Sequence, residues 1–215
     1  MSANIDLFWS FRSPYSYLAM PGALDVVERF DVEMRFRPVL PLALRSADFF
    51  SPENQYKVKY LLVDYPRRAE LLGMPGGWPS PDPIVQDLQT FKVAEEQPYI
   101  HRLVYLGVEA QRRGRGVEFA YEVSQLLFSG VPGWDQGDQL KDAASRAGLD
   151  LEAMDAAIAD PQSHLQEVDA NQVALDASGH KGVPTFVYND EPFFGQDRID
   201  SLCFQLEKDG LSRSG

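Results

Sequence analysis

The stretch Ser10-Phe-Arg-Ser-Pro-Tyr-Ser-Tyr17 decides the fold of this 215-residue chain, because it joins a strand to a helix through a tight turn. The apolar residues 5–9 just before it predict a buried strand. Ser13 is predicted at the N-cap of the helix and Pro14 at its first position, where proline's fixed φ and missing N–H cost nothing. A polar side chain there lies over free backbone N–H groups and the positive end of the helix dipole. The turn therefore presents a hydroxyl where a negative charge is stabilised.

The elements around this turn predict a parallel pair of strands. Apolar residues recur at spacings of three and four over 14–30, which predicts a helix that Pro21 kinks near Tyr17. Residues 32–37 alternate apolar and polar and predict a second strand. Because a whole helix connects the two strands, we expect them to be parallel.

The middle of the chain, residues 42–160, predicts helices only. Five apolar periodicities occur there, the first with Pro66 inside it and the fourth ending at Gly148. The Pro- and Gly-rich segment 74–83 between the first two is predicted to be a surface lid or pocket wall.

The end of the chain returns to an alternation of helix and strand. Leu165, Val168, Gln172 and Leu175 predict one helical face, with Gly179 as its stop. Residues 182–188 predict a strand entered through a proline, Asn189-Asp190 a hairpin turn, and residues 192–194 its partner strand. The segment 195–198 is predicted to open the last helix. The order predicts an α/β fold, with residues 1–41 and 161–215 forming one domain and residues 42–160 a helical insertion.

Composition narrows the possible functions. The net charge of −12 disfavours nucleic acid and anionic membranes as partners, because the global field repels phosphates. We see no signal peptide and no run long enough to span a bilayer, so we expect a cytoplasmic protein. The single cysteine, Cys203, excludes a dithiol redox pair and is expected to be a core thiol.

Each candidate site residue has a structural and a functional interpretation. Ser13 is either a plain helix cap or a hydrogen-bond donor to a thiolate or oxyanion. Val183-Pro184 either shapes a turn or offers backbone groups to an extended peptide ligand. Gln196 and Asp197 either begin a helix or bind a group carrying both a carboxylate and an ammonium. The histidines show neither triad nor metal-ligand spacing, so we predict no metal; the pairs Lys57/Lys59 and Arg67-Arg68 are each taken as a solvated helix face.

Together these motifs resemble the 2-hydroxychromene-2-carboxylate isomerase family, which belongs to the DsbA-like branch of thioredoxin folds with the kappa-class glutathione transferases. The resemblance rests on residues 13–19, 182–186 and 193–198, and on Lys57-x-x-Tyr60-x-x-x-Asp64-x-x-Arg67-x-Ala69-x-x-Leu72-Gly73. It covers nearly the whole chain. It implies a thioredoxin-like domain with a large helical insertion, a homodimer, and a role in aromatic catabolism.

The resemblance also implies bound glutathione as a cofactor that is not consumed. Ser13 would hydrogen-bond the glutathione sulfur, and the thiolate would add reversibly to a conjugated aromatic carboxylate, which allows cis–trans isomerisation. The remaining implied contacts are Val183 (with Pro184) to the cysteinyl backbone, Gln196 and Asp197 to the γ-glutamyl end, and Asn171 to the tripeptide. Arg45 and Lys57 are our candidates for binding the substrate carboxylate.

The chain departs from the family pattern in the segments where the second substrate is expected to bind. Family members often carry Asp where this chain has Ser10, and Arg12 is an unusual neighbour of Ser13. The segment 49–56 is shorter than its family counterpart and differs from it. Two alternatives stay open: a kappa-like transferase that consumes glutathione, and a non-catalytic module that binds thiol peptides.

Overall fold

A mixed sheet organises the fold in the computed structural model, which describes residues 3–46, 55–87 and 92–213. Within these residues the sheet has four strands in the order β2-β1-β3-β4. Strand β1 (Ala3–Trp9) pairs in parallel with β2 (Val32–Pro38), so that Leu7 lies opposite Phe36. Strands β3 (Thr185–Tyr188) and β4 (Glu191–Phe194) extend the sheet in antiparallel fashion. The prediction of a parallel β1–β2 pair is confirmed.

Helix α1 (Pro14–Arg29) crosses between β1 and β2 and begins as predicted. Ser13 is its N-cap, with φ of −86°, and Pro14 is its first residue. The helix runs on through Pro21 without ending there. The N-terminus of α1 is thus placed at the end of β1, where Ser10 to Ser13 form the turn.

The remaining helices match most of the predicted periodicities. The short α2 was not predicted, since one turn leaves no periodic pattern to detect. The described helices are α2 (Leu42–Arg45), α3 (Gln55–Leu71), α4 (Pro98–Arg112), α5 (Gly116–Phe128), α6 (Gln139–Arg146), α7 (Leu151–Ala157), α8 (Gln162–Ala177) and α9 (Ile199–Lys208).

The buried face of α8 differs from the predicted one. Its buried residues are His164, Val168, Asn171 and Leu175, whereas Leu165 and Gln172 are only half-buried. His164 and Asn171 occupy the interior face because each has a hydrogen-bond partner there. The prediction from apolar periodicity alone therefore assigned the wrong face.

One hydrophobic core joins the sheet to the helical block. The Phe11 ring packs edge-to-face on Phe36 in β2, at 6.1 Å between centroids, and on Phe119 in α5, at 6.0 Å. Buried residues from α4, α5 and α6 belong to the same cluster as those of β1 and α1. The predicted insertion 42–160 therefore shares its core with the thioredoxin-like part.

The β3–β4 hairpin has the predicted turn. Asn189 and Asp190 have φ of 50° and 63°, the left-handed conformation of a type I′ turn. The hairpin places Phe194 and the residues after it beside the N-terminus of α1. Among the described residues, no helix is both long and apolar enough to cross a membrane.

Candidate functional site

Two adjoining cavities lie beside the N-terminus of α1. The apolar cavity has a volume of about 810 Å³ and the polar cavity about 320 Å³. Tyr15, Tyr60, Val183 and Phe194 line both, so the two form one branched cleft. The other lining residues of the apolar cavity are Ser10, Arg12, Ser13, Pro14, Pro41, Leu42, Ala43, Tyr56, Lys57, Leu61, Trp78 and Gly182. Those of the polar cavity are Asp64, Arg68, Pro184, Gly195, Gln196 and Asp197.

Ser13 is both a helix cap and a lining residue of the apolar cavity. Its Oγ accepts a hydrogen bond from the Ser16 N–H at 3.2 Å and donates one to the Val183 carbonyl at 3.3 Å. The Ser13 N–H donates to the Ser10 carbonyl at 3.0 Å, which closes the turn. Ser13 can therefore be both a helix cap and a hydrogen-bond donor to a ligand, and the structure brings Ser13 and Val183 together as predicted.

Backbone donors face this junction without protein partners. The Val183–Pro184 peptide is cis, and Gly195 donates to the Pro184 carbonyl at 2.9 Å. Within the described ranges, the N–H groups of Val183 and Tyr15 have no acceptor. Since an unpaired backbone N–H seeks an acceptor, the site can bind a ligand carbonyl and an anion at adjacent points.

Gln196 and Asp197 line the polar cavity, but they do not belong to the last helix. Helix α9 starts at Ile199 with Arg198 as N-cap. Gln196 and Asp197 lie inside the turn that the Arg198 N–H closes on the Gly195 carbonyl. The predicted position of Asp197 in the first helical turn is wrong. Its side chain is half-exposed in the cavity wall, 3.2 Å from the Arg198 guanidinium.

Arg68 is a site residue that the sequence interpretation missed. We expected Arg67-Arg68 to be a solvated face, yet Arg68 lines the polar cavity and its Nη2 donates to Gln196 Oε1 at 3.1 Å. Its Nε is buried, and no described residue accepts a hydrogen bond from it. The spacing of four between Tyr60, Asp64 and Arg68 is the signal that could have found it, since such residues share a helix face.

Asp64 fixes the two tyrosines at the junction of the cavities. Tyr15 Oη donates to Asp64 Oδ2 at 2.6 Å, and Tyr60 Oη donates to Oδ1 at 3.1 Å. Burial, and then the hydrogen bond and negative charge of Asp64, raise the pKa of Tyr15 far above its usual value of 10. Tyr15 is therefore a neutral hydrogen-bond donor across the physiological range, and its ring is held in one orientation.

The cations of the apolar cavity differ in how they are held. Arg12 donates Nε and Nη2 to the two carboxylate oxygens of Asp82, at 2.9 and 2.8 Å. Lys57, a predicted substrate-binding residue, lines the cavity from the exposed side of α3, with Nζ 5.8 Å from the Tyr56 ring centroid. The segment 74–83 is confirmed as a pocket wall through Trp78, whereas residues 49–54 of the atypical segment 49–56 lie outside the described residues.

Arg45 and Asn171 do not line either cavity. Arg45 donates to the carbonyls of Leu40 and, at 2.9 Å, Lys181, and burial lowers its pKa to about 10. Asn171 is buried, donates Nδ2 to the Pro38 carbonyl at 3.2 Å and accepts from Arg37 at 3.3 Å. Both side chains are used in internal contacts, so the roles predicted for them in ligand binding are not supported by their positions.

Cys203 is a core thiol, as predicted. It is buried on α9, and burial raises its pKa. It lines neither of the two cavities but a neighbouring one that shares Arg68, Gln196 and Asp197 with the polar cavity, so the thiol lies away from the Ser13 end of the cleft.

This cleft and the sheet order define a class of protein. Residues 4–207 match the family model described as a DSBA-like thioredoxin domain, and the chain belongs to that family.

One curated relative and two solved structures are similar to this chain over most of its length. The chain is 26% identical to a 2-hydroxychromene-2-carboxylate isomerase of Sphingobium xenophagum, over 94% of this chain and 97% of that protein. A solved structure of 2-hydroxychromene-2-carboxylate isomerase superimposes with a TM-score of 0.70 at 19% identity, covering 95% of each chain. The cytosolic disulfide reductase DsbM of Pseudomonas aeruginosa, solved with GSH, has a TM-score of 0.57 at 16% identity, over 95% of this chain and 99% of that one. The resemblance inferred from the sequence motifs is confirmed.

Proposed function

We propose that this protein is a glutathione-dependent isomerase that acts on 2-hydroxychromene-2-carboxylate or a related aromatic-degradation intermediate. One observation carries the proposal: the Ser13 hydroxyl, at the N-terminus of α1, lines the apolar cavity and contacts Val183, which lines both cavities. A cofactor sulfur at that point would meet a conjugated substrate in the neighbouring space. The alignment with the Sphingobium xenophagum isomerase covers 97% of that protein, and a solved isomerase structure shares the fold.

The polar cavity has the groups that a γ-glutamyl tripeptide needs. Its volume of about 320 Å³ lies within the range of small-ligand pockets, roughly 300–1,000 Å³. The unpaired Val183 N–H can donate to the cysteinyl carbonyl, as an edge strand does with an extended peptide. Asp197 suits the ammonium group, while the Arg68 guanidinium in the cavity wall suits the carboxylate.

Ser13 then stabilises a negative charge. Its hydroxyl rotates from the Val183 carbonyl toward the ligand sulfur, and the Tyr15 N–H and the α1 dipole add a second donor and a positive potential. The chemistry that bound glutathione supplies is a thiolate that adds to the conjugated system and leaves again, so that a double bond rotates as a single bond in between. Because the cofactor is released unchanged, the chain needs no redox-active cysteine.

The apolar cavity suits a planar aromatic substrate. Tyr60, Trp78 and Phe194 contribute ring surfaces to its walls, and Asp64 fixes the Tyr60 hydroxyl. Aromatic walls hold a planar ligand by stacking and by excluding water. Lys57 contributes a positive charge toward the acid group.

The experiment is a thermal-shift titration of the chain with glutathione and with S-methylglutathione, followed by an isomerase assay. Glutathione at about 100 times its Kd should stabilise the native state by about 2.7 kcal/mol, and S-methylglutathione should do so less because it cannot form a thiolate. Addition of 2-hydroxychromene-2-carboxylate should then give isomerisation with catalytic amounts of glutathione. Cys203→Ala is the matched control and should keep the full rate, since that thiol is outside the cleft.

The outcomes separate the alternatives. Consumption of glutathione in proportion to product would favour the kappa-like transferase. Binding without turnover of any conjugated acid would favour a thiol-peptide-binding module. Failure of millimolar glutathione to raise the melting temperature would overturn the cofactor assignment. The homodimer stays a prediction, which light scattering tests directly.

A further inference from the structure

Arg12 is the one cation of the apolar cavity that the described residues hold in a fixed geometry. Asp82 binds one edge of its guanidinium through Nε and Nη2, and the side chain is 23% exposed. No described residue accepts a hydrogen bond from Nη1. Since a guanidinium presents five N–H donors in a rigid fork, the edge not bound by Asp82 keeps its donors.

Ser10 supplies an independent observation at the same wall. It is 2% exposed, lines the apolar cavity, and its buried Oγ has no hydrogen-bond partner among the described residues. A buried hydroxyl without a partner is costly, and a ligand acceptor removes that cost. Ser10 and Arg12 belong to the turn that the Ser13 N–H closes on the Ser10 carbonyl. Ser10 and Arg12 therefore lie in the same backbone turn as Ser13, the residue proposed to contact the sulfur.

We propose that Arg12 and Ser10 form the anchor for the carboxylate of the planar conjugated substrate, whose acid group would lie on this turn. The inference rests on the proposed function for the identity of the reacting carbons, but the anchor is defined by the cavity alone. The surrounding wall, which includes Leu42, Leu61 and Trp78, is apolar, and a charge-assisted hydrogen bond gains strength where water is excluded.

Asp82 acts as the positioning residue for Arg12. Its Oδ1 also accepts from the Ile84 N–H at 2.9 Å, so the carboxylate is itself fixed by the backbone of the pocket wall. Lys57, by contrast, is exposed on α3 and adds charge without a fixed direction. Selection between an acid and its neutral analogue is therefore assigned to Arg12 more than to Lys57.

The test compares the binding of coumarin-3-carboxylate with that of its primary amide by isothermal titration calorimetry, on the full chain with and without glutathione. In Arg12→Met, affinity for the acid should fall about tenfold or more, as expected for the loss of a hydrogen bond between charged groups, while affinity for the amide stays close to that of the wild type. Arg12→Lys should fall between the two, because it keeps the charge and loses the fork.

Matched variants separate binding from folding. Arg12→Met leaves Asp82 unpaired, so the double variant Arg12→Met with Asp82→Asn removes that charge and keeps an oxygen for the Ile84 N–H. The double variant should regain melting temperature without regaining acid affinity. Arg67→Met removes an exposed charge from α3 outside both cavities and should change neither ligand's affinity.

Equal losses for acid and amide, or unchanged affinity for the acid, would overturn the anchor. If glutathione binds normally while Arg12→Met still takes the acid as well as the wild type does, the anchor fails and the proposed function stands. If glutathione does not bind but binding of the acid depends on Arg12, the anchor stands and the proposed function fails.

Discussion

The substitution Ser13→Ala tests the centre of the proposed mechanism. It removes the hydroxyl that accepts from the Ser16 N–H and donates to the Val183 carbonyl, and leaves the backbone of the turn in place. Loss of a serine N-cap costs about 0.5–2 kcal/mol. At roughly 2–4 °C per kcal/mol for a chain of this size, the melting temperature should fall by several degrees.

The expected functional effect is larger and concerns the proposed cofactor, glutathione. A hydrogen bond to a charged group contributes about 1.5–3 kcal/mol, and about 1.4 kcal/mol corresponds to one pKa unit. Ser13→Ala should therefore raise the pKa of the glutathione thiol in the complex by about one to two units. The pH profile of kcat/KM should move to higher pH by the same amount, because only the thiolate reacts.

The assay is a titration of thiolate absorbance in the ultraviolet, with glutathione bound to wild type and variant. Ser13→Thr keeps the hydroxyl and should keep the lower pKa. Ser16→Ala is the matched control, since its hydroxyl is buried on the same helix and has no partner among the described residues. A thiol pKa that is identical in wild type and Ser13→Ala would refute the role assigned to the hydroxyl.

Three further predictions follow from contacts outside the reacting centre. Arg45→Met should cost about 1–3 kcal/mol by removing the hydrogen bonds to the Leu40 and Lys181 carbonyls and should leave glutathione affinity unchanged, which denaturant unfolding and calorimetry check. Burial raises the pKa of Glu109, but hydrogen bonds from His164 and Arg113 lower it more, so the net shift is below the usual 4.5. Its stabilising contribution is thus complete above pH 4.5 and is lost as the pH falls through the lower folded value, so the melting-temperature gap between wild type and Glu109→Gln should narrow on acidification. Gly77→Ala places a Cβ on the backbone of Gly130 and should cost about 1–3 kcal/mol or more, with weakened acid binding because the wall carrying Trp78 moves.

The parts of the fold that local chemistry determines could be predicted from the sequence. Ser13 and Pro14 define a helix start through their own caps and dihedrals, and Asn189-Asp190 defines a hairpin through its left-handed backbone. The parallel pairing of β1 and β2 follows from the length of their connection. Each of these depends on residues close together in the chain.

The assignment of arginines to the site depended on distant contacts and was missed. Arg12 faces Asp82, 70 positions away, and Arg68 reaches Gln196, 128 positions away, whereas Arg45 bonds to the carbonyl of Lys181. An arginine lines a cavity only where a distant segment packs beside it. For Arg12 that segment is 74–83, and for Arg68 it is the turn after β4. The spacing of four places Tyr60, Asp64 and Arg68 on one face of α3, but a single sequence does not show which distant segment packs against that face.

The position of Phe11 links the helical block to the chemistry of the cleft. Phe11 lies between Ser10 and Arg12 in the chain, and its ring is held by Phe36 and Phe119. The turn that carries both proposed donors is thus fastened, through one ring, to a helix that lines neither cavity. Removal of residues 42–160 to obtain a minimal thioredoxin unit would leave that ring without its helical partner, so we expect the turn that carries the proposed donors to need α5. In directed evolution of this scaffold, we expect substitutions at Phe119 to shift the turn that carries Ser10 and Arg12 without altering any residue that lines the cleft.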